Sequence, residues 1–251
     1  EGAEKVFGLL VSSDAEISGA AYQALAGVVE PAHFNLLSTL LEKGQQVPAI
    51  QKAMKNALLP LSKADQLANI QSHMGKSANA SLYYPVLAQV GTSEAIAEIR
   101  KGYEGNYKQA AYEALLTIDN AEMIPVLFEM VQADKANAQT LLNRYTDLVN
   151  KSSQTPIQKF QSYSKALELA SDVKLQNRLL SLLGGTHTYQ ALLVAAPYMD
   201  NQPTSESAAS AVRTIVSKNI ETLGGEQIRQ MLNKAITCFE TVGDADAGYA
   251  I

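Results

Sequence analysis

The chain reads as an all-α protein in which about seven helix pairs stack into a solenoid, and three observations predict this. First, apolar residues recur at three- and four-residue steps, as in Ile17, Ala20, Ala21, Ala24, Leu25 and Val28, and again in Tyr107, Ala110, Ala111, Ala114, Leu115 and Ile118. That spacing lines one face of a helix. Second, the alternating pattern of a half-buried strand is essentially absent. Third, one phrase returns at Leu25–Leu37, Leu87–Ile99, Leu115–Leu127 and Leu182–Leu192: an apolar stripe, a short polar corner, a second apolar stripe. A helix-corner-helix unit buries its apolar face only against its neighbours, so its repetition writes an array that grows in one dimension.

Along the chain the pairs fall at about 13–44, 47–75, 80–105, 106–134, 136–171, 172–201 and 204–242. The first opens on Ser13-Asp14-Ala15-Glu16, which has capping-box spacing, and Pro31 stands near its second helix. Pro48 starts the second pair, and the polar stretch from Lys63 to Ser81 is expected to carry a longer loop. Pro85, Pro125 and Pro197 lie inside apolar helical patterns of the third, fourth and sixth pairs, where a missing N–H and a ring clash predict bends. The fifth pair holds a second polar loop at Asn150 to Thr155, followed by Thr155-Pro156-Ile157-Gln158, a cap with Pro at the first helical position. Ala20-Ala21, Ala110-Ala111 and Ala208-Ala209 supply small residues where helices approach closely.

Composition bounds the function. With 47% apolar and 18% charged residues, the chain can fill a continuous core, which a disordered composition cannot. The formal charge is −5, the pI is near 5.3, and Arg100, Arg144, Arg178, Arg213 and Arg229 are widely spaced. These features argue against a phosphate-binding surface, so no nucleic-acid partner is expected. The longest apolar run, Ala191 to Ala196, falls far short of the length that spans a bilayer, so no membrane insertion is expected. The single Cys238 lies at helical spacing beside Ile236 and Phe239 and reads as a small core residue. Residues 1–251 read as one continuous solenoid. Lys5 to Val11 resembles the close of a preceding helix and Asp244 to Ile251 the opening of a following one, so a piece of a longer protein is expected.

The phrase at Leu115–Leu127 resembles the HEAT-repeat (armadillo-like) family, whose units pair an A-x-x-A-L helix with a Gly or Asp corner and an A-[VI]-P-x-L helix. Ala110-Ala111-Tyr112-Glu113-Ala114-Leu115, Asp119 and Ile124-Pro125-Val126-Leu127 carry the resemblance. The copies at Leu87 and Leu182 lack the second-helix Pro, and the copy at Leu25 lacks Gly or Asp at its corner. The resemblance implies a right-handed α-α superhelix that presents curved surfaces to partners and no inherited catalytic residue. The Leu182-Leu183-Gly184-Gly185-Thr186-His187-Thr188 wording also resembles HEAT regions of multidomain extracytoplasmic bacterial proteins, some of which carry a domain like the 3-keto-disaccharide hydrolases.

Chemistry is sparse. His33, His73 and His187 have no partner at zinc-ligand spacing. Asp244 and Asp246 suit the first turn of a helix better than a cation site. Gly184-Gly185 and Gly224-Gly225 read as corners, without the strand or Lys-Ser/Thr context of a phosphate loop. No catalytic residue, metal ligand or cofactor is expected. Tyr83, Tyr84, Tyr103 and Tyr107, with Tyr112, are the candidate binding residues, because a phenol offers a ring and a hydroxyl to a peptide or a sugar. Tyr103, Tyr107 and Tyr112 also keep step with the apolar stripes, which is the pattern of core packing. The expected role is a non-catalytic interaction or spacer scaffold of a larger bacterial protein, with a protein or a neighbouring domain of the same chain as partner and an extracytoplasmic location favoured. The alternative is an accessory solenoid of a sugar-processing enzyme that contributes a carbohydrate or domain-docking surface.

Overall fold

Every regular element among the described residues, 2–241 and 243 of this computed structural model, is helical. Contacts divide the chain into two compact units, Glu1–Glu122 and Met123–Ile251. The first holds α1 (Gly2–Leu9), α2 (Ala15–Ala24), α3 (Phe34–Glu42), α4 (Val47–Leu58), α5 (Lys63–Met74), α6 (Tyr84–Val90), α7 (Ser93–Glu104) and α8 (Lys108–Thr117). The second holds α9 (Met123–Ala133), α10 (Ala138–Lys151), α11 (Pro156–Leu169), α12 (Val173–Gly184), α13 (Tyr189–Ala195), α14 (Gln202–Lys218) and α15 (Glu226–Thr241). Short 3-10 turns cover Leu25–Gly27, Pro31–His33, Ala80–Tyr83 and Ala196–Asp200.

In the first unit α4 packs on α2 and α6, α6 on α8, and α3 on α5. In the second, α12 packs on α10 and α14, and α13 on α11. Alternate helices therefore form rows, and the expected all-α paired architecture is present in each unit. The stripes that predicted it are core only in part: Ala21 and Leu25 of the first are buried while Ile17, Ala20 and Ala24 are exposed, and Ala111, Ala114, Leu115 and Ile118 of the second are buried while Tyr107 is exposed. Leu37 and Leu87 in the first unit and Leu179, Leu183 and Leu192 in the second are fully buried. Each such side chain removed from water contributes about 1.5–3 kcal/mol. Gly184 lies against α14, where a methyl group on it would stand 3.0 Å from the Ala211 Cα, so a side chain there requires α14 to give by a few tenths of an ångström.

Local signals hold with corrections. Asp14, not Ser13, caps α2; its carboxylate accepts from the Glu16 and Ile17 N–H groups at 2.9 and 3.3 Å. Thr155 and Gln158 form the full capping box of α11. Lys63–Met74 is the second helix of the pair expected at 47–75, and the loop expected within Lys63 to Ser81 is confined to 75–79: Ser62 accepts from the Asp65 N–H at 3.1 Å, and Gln66, Ile70 and Met74 bury one face. Pro125 stands in the first turn of α9. At Pro85 and Pro197 the expected bend takes the form of a switch between α and 3-10 winding, because the first turn of a segment has no partner for the N–H that Pro lacks.

Candidate functional site

The candidate tyrosines are mostly structural in their surroundings. Tyr83 is fully buried, its hydroxyl 2.6 Å from Ser38 Oγ and donating to Glu42 Oε1 at 3.0 Å. Burial pushes its pKa up to about 12. Tyr84 is buried, and its phenol end occupies the place a Cβ on Gly102 would take, so helices α6 and α7 meet around it. Its pKa is raised, first by burial and then by Tyr107 and Glu98. Tyr103 is buried and stacks on Tyr112 at 6.3 Å between ring centres, with Lys108 Nζ 5.2 Å over its ring. Tyr107 alone of the four candidates is exposed, its ring edge-on to Tyr84 at 6.3 Å. The structure thus brings Tyr84, Tyr103, Tyr107 and Tyr112 into two ring pairs around α6, α7 and α8.

The histidines have local roles. His33 Nδ1 accepts from the Glu30 N–H at 3.0 Å. His73 sits 2.9 Å from the Asn69 carbonyl through Nδ1 and edge-on to Phe34. His187 takes a left-handed corner conformation at φ 54°. Cys238 is buried, with its Sγ donating to the Met199 carbonyl at 3.6 Å and its pKa raised by burial. Among the described residues no three His, Cys, Asp or Glu side chains come together as a metal-ligand set, and no helix is long and apolar enough to cross a membrane. Asp244 and Asp246 lie outside the described residues.

Three helices of the second unit converge on a cleft that sequence reasoning passed over. It has a volume of about 310 Å3 and is lined by Asn150 at the end of α10, Gln154 in the following loop, Pro156, Lys159 and Tyr163 on α11, and Ser181, Leu182, Gly185 and Thr186 at the end of α12. The α11 capping box fixes where Pro156 begins the helix, and Lys159 and Tyr163 follow one turn apart on one face. Lys159 Nζ donates to the Asn150 carbonyl at 2.8 Å, and the Tyr163 hydroxyl donates to Asn150 Oδ1 at 3.4 Å. Tyr163 is 1% exposed and Thr186 7% exposed, so both are held by packing at the base of the cleft. Burial raises the Tyr163 pKa to about 12; the nearby Arg178 charge, itself paired with Asp147, works against that rise. No carboxylate is among the lining side chains. The sequence signals were the polar Asn150–Thr155 segment and the Gly184-Gly185 corner, but nothing in linear spacing joins them across three helices.

Residues 30–202 match the family model of the fungal specific transcription factor domain, which is more than half of the chain. No curated protein and no solved structure matches it. The match corrects several expectations. It replaces the HEAT-repeat resemblance and the likeness to bacterial proteins carrying a 3-keto-disaccharide hydrolase-like domain. The bacterial spacer or scaffold role and the sugar-enzyme accessory role fall with them, since the domain is a fungal regulatory one. The exclusion of nucleic acid and the restriction of partners to protein, a neighbouring domain or carbohydrate do not stand for a transcription factor domain, nor does an extracytoplasmic location. The physical reason is that a helix-corner-helix phrase records only how helices stack, and any paired-helix array writes it.

Proposed function

The chain belongs to the fungal specific transcription factor domain family, and we propose that it is a regulatory region of a fungal transcription factor. The observation that carries this reading is the extent of the match, which runs from Glu30, ahead of α3, to Gln202, the first residue of α14. The partners it calls for are DNA and the regulatory proteins that act with it, and its place of action is the nucleus. The role proposed is non-enzymatic: closely packed helices hold surfaces and a cleft in preformed shape, so little entropy is lost when a partner is engaged.

Deletion of residues 30–202 from the chromosomal gene, followed by transcript profiling, tests the reading. A reproducible change confined to a defined set of genes is the expected result. An unaltered transcriptome in cells that express the protein would refute it. Gel-shift titration of the purified chain with genomic DNA fragments then separates direct DNA contact from regulation through a protein.

A further inference from the structure

We propose that the cleft between the end of α10, α11 and the end of α12 binds a small hydroxylated organic acid, with the acid's carboxylate seated on Lys159. The site is a property of the second unit and holds whether or not the chain acts in transcription.

Charge selects the ligand class. The lining contains one ammonium and no carboxylate. An ammonium has three N–H donors, and the Asn150 carbonyl takes one of them from Lys159. Pro156 places the amino end of a 14-residue helix at the cleft wall, and the macrodipole there adds positive potential. The carboxyl ends of α10 and α12 also reach this cleft and set the negative end of the macrodipole against the amino end of α11, so the charge that draws an anion here is the Lys159 ammonium.

Hydrogen bonding selects the hydroxylated form. Gln154 accepts from Ser162 Oγ at 3.2 Å, which commits its carbonyl oxygen and leaves its NH2 to donate. The Tyr163 hydroxyl rests on Asn150 Oδ1 at 3.4 Å, a long contact that a closer acceptor displaces. Asn150 Oδ1 is then an acceptor for a ligand hydroxyl, and Ser181 offers both donor and acceptor. Leu182 gives the carbon skeleton an apolar wall. Because Tyr163 and Thr186 are fixed by burial, the floor is preorganised and little is lost on ordering it. The cleft volume of about 310 Å3 lies in the lower range of small-molecule sites and suits a small acid rather than a larger metabolite.

The test is a titration of the 15N-labelled chain with malate, citrate and gluconate, followed by amide chemical shifts. Sulfate and the neutral malate analogue malamide serve as controls. The proposal expects saturable shifts at residues 150–163 and 181–186 with a dissociation constant on the order of 1 mM or tighter, absent with malamide. Lys159→Met keeps the aliphatic stem and should weaken binding about tenfold or more; Tyr163→Phe should weaken it several-fold. Circular dichroism establishes that both variants keep their helices, and Lys174→Met, outside the lining, should bind as the parent does. Equal binding of malamide, equal response to sulfate alone, binding unchanged in folded Lys159→Met, or no saturable shift with any of the three acids would each overturn the proposal.

Discussion

Two buried phenols, Tyr83 in the first unit and Tyr163 in the second, couple stability to alkaline pH. Each has its pKa raised from 10.0 to about 12, chiefly by burial. Below pH 10 both phenols are neutral whether the chain is folded or not, and their contribution is fully present. Between pH 10 and 12 the unfolded chain releases a proton that the folded chain retains, so stability falls as pH rises, by up to about 2–3 kcal/mol for each tyrosine. Urea midpoints at pH 8 and pH 11 measure this, and Tyr163→Phe should flatten the loss. Tyr83→Phe should do the same and should also destabilise the chain at pH 8, because it strips the hydroxyl from Ser38 and Glu42. Leaving the buried Ser38 hydroxyl without this partner costs about 1–3 kcal/mol, while the exposed Glu42 carboxylate turns to water. A steeper loss in either variant would contradict the assignment. In the sequence Tyr83 stood out in a cluster with Tyr84, Tyr103, Tyr107 and Tyr112, whereas Tyr163 did not, and the side each ring takes was not legible: Tyr103, Tyr107 and Tyr112 all keep helical step, and only tertiary packing buries Tyr103 and exposes Tyr107.

The seam between α12 and α14 is tight at Gly184. Gly184→Val forces a branched side chain against the Ala211 Cα. Overpacking of this kind should destabilise by roughly 1–3 kcal/mol. Gly185 has right-handed helical backbone and only ordinary contact with the Leu182 carbonyl. Gly185→Ala should therefore stay within about 0.5 kcal/mol of the parent. Thermal melts of the two variants give the comparison; equal melting temperatures would show that the seam tolerates the extra volume. The Gly184-Gly185 pair reads from sequence as one corner, whereas the first residue is a helix contact and the second the turn. Elements with long apolar stripes, such as α3 and α12, were legible because periodicity and burial agree. α5 was legible only as the second member of the pair at 47–75 and its start was blurred, because its polar composition leaves only Gln66, Ile70 and Met74 facing inward. The cleft stayed hidden for a related reason: Lys159, Tyr163 and Thr186 keep ordinary helical and corner spacing, and their convergence is set by how α10, α11 and α12 pack.

At the scale of the whole molecule, helical periodicity determines an all-α fold and says nothing of the biological setting. The phrase at Leu115–Leu127 satisfies a HEAT-like pattern because stacking two helices demands small residues, a corner and an apolar stripe in any setting. Membership in the fungal specific transcription factor domain family comes instead from the match across residues 30–202. Net charge misled in the same way: −5 summed over the chain describes the average surface and excludes neither local DNA contact nor regulation through bound proteins. The measurement that tests the regulatory reading most directly is chromatin immunoprecipitation of the epitope-tagged protein from its own fungal cells. The account predicts discrete enriched promoter regions whose genes change expression when residues 30–202 are deleted. A genome profile indistinguishable from the untagged strain, with the protein present in those cells, would contradict it.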